Sequence, residues 1–225
     1  MRFVNLHKIY WWYLISLLVF FLGTIIAARH YPGGFDWFYT VASALASQKH
    51  NPTGSTWFSS SLTVAMTLLW PFVSALKKGL ETSSSTTTRF YIGALQVGLI
   101  SSALLGLERL FIHDLSSWLN KAHEFIGVFA FLGLYVGILG FLLHVMLRKR
   151  VYIISALVVA TPLLAIGISH VWLYFDQRNL GWVDTSWRDM GIPVWLSFAF
   201  WQWLAIGFLW IGLGLLSFIC IKGKR

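Results

Sequence analysis

The sequence predicts an all-α, polytopic membrane protein of six transmembrane helices, with a short interfacial helix in the first outer loop. Three observations predict it. Of its 225 residues, 57% are hydrophobic and only 11% are charged, whereas an average soluble domain is roughly one quarter charged. Six apolar runs are long enough to cross a hydrocarbon core ~30 Å thick, which takes a helix of roughly 20 residues. Aromatic residues make up 17% of the chain, as suits a protein that needs anchors at the membrane–water boundary.

The spans fall at about 9–28, 56–76, 90–112, 122–147, 151–175 and 194–221, and together form one domain over 1–225. Backbone in lipid must satisfy its own hydrogen bonds, so helices are the natural form for these runs; the alternation of a β-barrel strand is absent. Arg2 and Lys8 ahead of the first run resemble the start of a signal peptide. That run opens on Tyr10-Trp11-Trp12-Tyr13 and has no convincing cleavage site, so it reads as an uncleaved first span. The single cysteine, Cys220, excludes an internal disulfide and leaves the redox compartment unread.

Between spans one and two, Gly33-Gly34 permits a sharp turn. Phe35, Phe38, Val41 and Leu45 then recur at helical spacing, which predicts a short helix over 35–47 lying on, or dipping into, the outer interface. His50-Asn51-Pro52-Thr53-Gly54-Ser55 closes it as a turn, and Pro52 rules out Asn51 as a glycosylation acceptor. The inner loops are plainer: a hydroxyl-rich linker after Glu81, and a tight Arg148-Lys149-Arg150 hairpin.

Charge sets the expected orientation. The side holding both termini carries eleven Lys and Arg and one acid, Glu81, whereas the other carries six cations and seven acids. By the positive-inside tendency both termini are cytoplasmic. The net charge of +9 then faces anionic lipid; the expected partners are membrane lipids, not nucleic acid.

Small and hydroxyl residues form stripes along the spans. Span two has Ser60, Thr63, Thr67, Pro71 and Ser74; span three has Ser102, Gly106, Arg109 and His113. Span four has His123, Ile126, Ala130, Gly133, Gly137, Gly140 and His144. The plain account is close helix packing, and the sharper one is a water-filled cavity.

Ionisable groups gather at the outer ends. Charges inside a membrane are costly, ~2.5–3.5 kcal/mol at the centre on insertion scales, so such groups face the bundle and take partners. Neighbours on a helix point apart, so Arg109 is expected to pair with Glu124 or Asp36, and Glu108 with a His or hydroxyl. The plain account is a structural ion-pair network. The functional account is a polar pocket of Asp36, Asn51, Arg109, His113, His123, Glu124 and His170, opening outward.

Two chemistries compete for that pocket. His113, His123 and His170 with Asp36 or Glu124 are adequate zinc ligands and would make a metal-dependent hydrolase, although no short motif such as H-E-x-x-H occurs. A haem held by His113 and His170 is a lesser variant. Alternatively Ser60, or its neighbours Ser59 and Ser61, could act as nucleophile, with a His as base and Asp36 as orienter. Asp36, Glu108, Glu124 and Ser60 are thus the catalytic candidates. Trp195, Trp201 and Trp203 with Gln202 read as the outer aromatic belt of span six.

Tyr31-Pro32-Gly33-Gly34-Phe35-Asp36, then Ser43-Ala44-Leu45, then Asn51-Pro52 before a Ser-rich span, resemble the six-helix family catalogued as "domain of unknown function 998". More distantly, the chain is similar to the DRAM-like membrane proteins. It departs from the pattern after Ser43, where Ala44 and Leu45 stand in place of an acidic residue. The resemblance implies an integral membrane protein linked to lipid organisation and carries no catalytic residues. The expected function is therefore a lipid-interacting or lipid-modifying membrane protein; a metal-dependent hydrolase is the alternative. A small-solute transporter is less favoured because inverted repeats are not apparent.

Overall fold

Long apolar runs cannot leave backbone groups unpaired in lipid, and here each run closes its hydrogen bonds within a helix. The computed structural model describes residues 6–80, 86–112, 117–148, 150–176 and 188–222. Its helices are α1 (Leu6–Arg29), α2 (Ala42–Ala46), α3 (Ser55–Leu68), α4 (Trp70–Leu80), α5 (Thr86–Phe111), α6 (Ser117–Arg148), α7 (Ile153–Asp176) and α8 (Phe198–Lys222). Short 3-10 turns at Arg150–Tyr152 and Val194–Leu196 lead into α7 and α8. There are no strands among the described residues, and six stretches are long and apolar enough to cross a membrane.

Those stretches start and end within a few residues of the expected spans, with one difference. Span two is two helices. Pro71 has no N–H to give, and its ring crowds the carbonyl four residues back. The helix is accordingly interrupted at Leu69, and the chain resumes as α4.

The helices form a ring of sequential neighbours. The α1 helix packs on α3, α3 on α5, α5 on α6, α6 on α7 and α7 on α8, while α8 returns to α1 and also touches α6. Tyr13 Oη donates to the Trp210 carbonyl at 3.0 Å, tying the first helix to the last. The most extensive pairing is α5 with α6. It needs glycine: a Cβ on Gly98 would lie 2.6 Å from the Leu134 nitrogen, and one on Gly133 would lie 2.7 Å from the Ala94 carbonyl oxygen. The stripe of Gly133, Gly137 and Gly140 is therefore a packing seam. Large apolar side chains such as Phe111, Val151, Ile154 and Ile168 point away from the bundle, as lipid contact requires.

The expected loop helix is present as α2, but it is shorter than 35–47, and of the two expected placements it takes the buried one. Gly33 and Gly34 take positive φ (75° and 90°) and make the expected sharp turn. The Asp36 carboxylate then accepts the Phe38 N–H at 3.0 Å, and the Asp36 carbonyl accepts from Thr40 at 2.8 Å, giving a tight turn where a helix was expected. Side chains from the α8 region complete the loop. Ser197 Oγ donates to the Phe38 carbonyl (2.6 Å), Trp203 Nε1 to the Thr40 carbonyl (3.0 Å), and the Ala42 N–H to Gln202 Oε1 (2.8 Å). Leu45 and Ala44 are consequently buried.

Candidate functional site

Beneath that loop lies a cavity of about 170 Å³. Helical spacing builds its walls. On α6 they are His123, Gly127, Ala130 and Leu134; on α8, Gln202, Ile206, Leu209 and Leu213; on α5, Ser102, Leu105 and Arg109; on α3, Phe58, Leu62 and Met66. Steps of three and four residues put each set on one face. Phe20 of α1 and Ala42, Ser43 and Ala46 of the loop helix close it. Most of this lining is apolar; the cation, imidazole and amide on it are Arg109, His123 and Gln202.

Arg109 and His123 are joined behind the wall by Glu108. Its Oε2 is 2.8 Å from His123 Nδ1 and 3.4 Å from Arg109 Nε, and all three side chains are largely buried. An ionised carboxylate only accepts, so His123 donates through Nδ1 and, as the neutral ring, leaves Nε2 as an acceptor. The arginine contact is ionic only: Arg109 Nε is buried and has no hydrogen-bond partner. Adjacent residues diverge on a helix, so the two side chains meet edge to edge without a directed N–H bond.

The expected pairings are thus partly corrected. Glu108 does take a histidine. Arg109 meets Glu108 rather than Glu124 or Asp36. Glu124 is exposed. Asp36 is held by Arg188 at 3.2 Å and by the Phe38 N–H; it orients no histidine among the described residues, and it does not line the cavity. Ser60 is half-buried on α3 and is also outside the lining; Ser61 Oγ donates to the Phe58 carbonyl at 2.9 Å. The Ser60–His–Asp36 nucleophile is therefore not assembled.

Asn51 is a clamp rather than a pocket residue. Its Nδ2 donates to the carbonyls of Ala27 (3.0 Å) and Leu45 (3.3 Å), and its Oδ1 accepts from the Gly54 N–H (3.1 Å). It is fully buried and its amide is satisfied on both sides.

His170 stands on α7 between the rings of Phe131 (5.4 Å) and Phe198 (4.3 Å), behind the cavity wall that Phe131 forms. His113 lies outside the described residues. Among the described residues no three His, Cys, Asp or Glu side chains converge as metal ligands.

Two lining residues escaped the sequence reading. Gln202 was assigned to the aromatic belt, yet it keeps helical step with Ile206, Leu209 and Leu213, and a lone amide on an apolar face was the available signal. Ser43 carried no signal, because only the turn after Gly34 brings it over the cavity. Of the expected belt, Trp203 instead joins a docking cluster, packing with Phe35 and Trp37 at centroid distances of 4.8–5.8 Å beside Tyr31, whereas Trp195 is exposed and its carbonyl accepts from Trp201 Nε1 at 2.7 Å. Burial pushes the Tyr31 phenol above its ordinary pKa. No family model, curated protein or solved structure matches the chain.

Proposed function

We propose that this is an integral, multi-pass membrane protein that binds a lipid in the cavity between α1, α3, α5, α6 and α8. The observation that carries the reading is the composition of that cavity. Its walls are apolar along several helices, while Arg109, His123 and Gln202 supply polar groups on three of them. An amphiphile needs this division, with a dry wall for a chain and hydrogen-bonding groups for a head. The charge asymmetry of the sequence orients the buried loop outward and the termini toward the cytoplasm. The resemblance of the first loop to the six-helix family belongs to the same proposal.

Gly127 provides the test. It lines the cavity, and a Cβ added there meets nothing within 4 Å, so a side chain can start there without a clash and Gly127→Leu adds bulk to the cavity wall. Protein purified in mild detergent and extracted for mass spectrometry is expected to retain lipid, and Gly127→Leu to lose it while unfolding at the same temperature or higher. Equal retention by both would overturn the reading.

The Glu108–His123 pair supports a lipid-modifying extension. A histidine oriented by a carboxylate, with its second nitrogen free, is the arrangement of a general base. Incubation with lipid esters should then give products that His123→Gln does not form; no turnover by the parent protein confines the role to binding.

A further inference from the structure

We infer that the cavity selects an amphiphile with one apolar chain and an anionic oxygen head, a carboxylate or phosphate, which docks on Arg109. The inference rests on the lipid-binding reading and names its ligand class.

Three features point to it. The first is an excess of hydrogen-bond donors on the wall. Glu108 lies 3.4 Å from Arg109 Nε, an N–H with no hydrogen-bond partner among the described residues, and none of those residues hydrogen-bonds the rest of the guanidinium fork. Gln202 spends its oxygen on the Ala42 N–H at 2.8 Å, which leaves the amide NH2 as the part with hydrogens to give. A guanidinium fork matches the paired oxygens of a carboxylate or phosphate, whereas an ester carbonyl offers one oxygen.

The second is charge. Among the described residues no carboxylate lines the cavity: Glu108 is joined to Arg109 and His123 but is not part of the wall, and neither are Asp36 and Glu124. Glu108 offsets the charge of Arg109 and so lowers the cost of burying it, and it is not part of the cavity wall that Arg109 lines. An anionic head would share Arg109 with Glu108 and gain hydrogen bonds from Gln202 and the Ser43 hydroxyl.

The third is size. The volume is about 170 Å³, and apolar cavities of roughly 150 Å³ stay dry and take one benzene-sized group. That volume suits one chain segment.

The test uses the full chain in a non-ionic detergent, titrated with the fluorescent polyene cis-parinaric acid and with its methyl ester, which keeps the chain and removes the charge. The acid is expected to bind about tenfold more tightly than the ester, the scale of one charge-assisted interaction. Arg109→Gln should bring the acid-to-ester ratio close to one, and a cooperative unfolding transition in detergent shows that the variant is folded. Arg109→Lys, with charge but no fork, should give an intermediate ratio. Displacement by oleate and by oleoyl lysophosphatidate, but not by monoolein, tells carboxylate from phosphate sources and supports the inference in either case. Equal affinity for acid and ester, or an unchanged ratio in Arg109→Gln, overturns the anionic head while leaving lipid binding standing. Failure of both probes to bind, with Gly127→Leu indistinguishable from the parent, overturns the lipid reading itself.

Discussion

Glu108 Oε2 and His123 Nδ1 meet at 2.8 Å, joining α5 to α6 at the level of the cavity. The same oxygen lies 3.4 Å from Arg109 Nε, so one carboxylate holds two cavity-lining side chains. Glu108→Gln keeps an acceptor for His123 but removes the charge beside Arg109. Hydrogen bonds to charged groups contribute about 1.5–3 kcal/mol, and the substitution should cost stability of that order. Glu108→Ala should cost more, because it leaves both partners buried and unpaired. Thermal unfolding in detergent checks both; an unchanged midpoint for Glu108→Ala would show that the carboxylate is dispensable.

The α5–α6 seam predicts intolerance at two glycines. A methyl group at Gly98 or Gly133 runs into backbone of the facing helix, and overpacking of this kind costs about 1–3 kcal/mol. Gly98→Ala and Gly133→Ala should each lower the unfolding midpoint. Gly93→Ala, where a Cβ meets nothing, should not.

Asn51 holds the end of α1, the end of α2 and the start of α3 through one amide. Asn51→Ala strands the Gly54 N–H and removes a donor from the Leu45 carbonyl, while the Ala27 carbonyl keeps the His30 N–H at 3.2 Å. At about 1–3 kcal/mol for a buried group left unsatisfied, the loss should rival that of a large core truncation. Asn51→Asp should also destabilise, because an acceptor-only carboxylate would face two carbonyls. Limited proteolysis within 30–54 and the unfolding midpoint report the effect.

The Asp36–Arg188 pair should behave differently. It spans two loops at 3.2 Å, but Arg188 is 67% exposed, and exposed ion pairs contribute about 0–1 kcal/mol. Arg188→Ala should leave the midpoint nearly unchanged, and raising the salt concentration should remove what difference remains. A large loss would mean that the loop depends on this contact rather than on Ser197, Trp203 and Gln202.

The site was legible in proportion to how local its signals are. Ser102 and Arg109, two turns apart along α5 through Gly106, were read as one stripe, and the structure keeps both on the cavity wall. Glu108 was expected to find a histidine because a buried acid needs a partner, and His123 is that partner. Asp36, Asn51 and Glu124 were grouped with these only because all stand near the same ends of the spans. Nearness to a membrane face does not fix direction: Asp36 turns to Arg188, Asn51 turns to backbone, and Glu124 stays exposed.

By itself the sequence determined the membrane character, the six helical spans, the glycine turn at 33–34 and the small-residue seam. Each follows from composition or period, which act along one segment at a time. Only the tertiary structure decided that α2 is buried, that Gln202 and Trp203 serve the first loop, and that Arg109, His123 and Gln202 share one cavity. Those facts depend on α8 returning to α1 and closing the ring. The residues involved are as much as 163 positions apart, and no periodicity within a segment encodes which distant face will meet it.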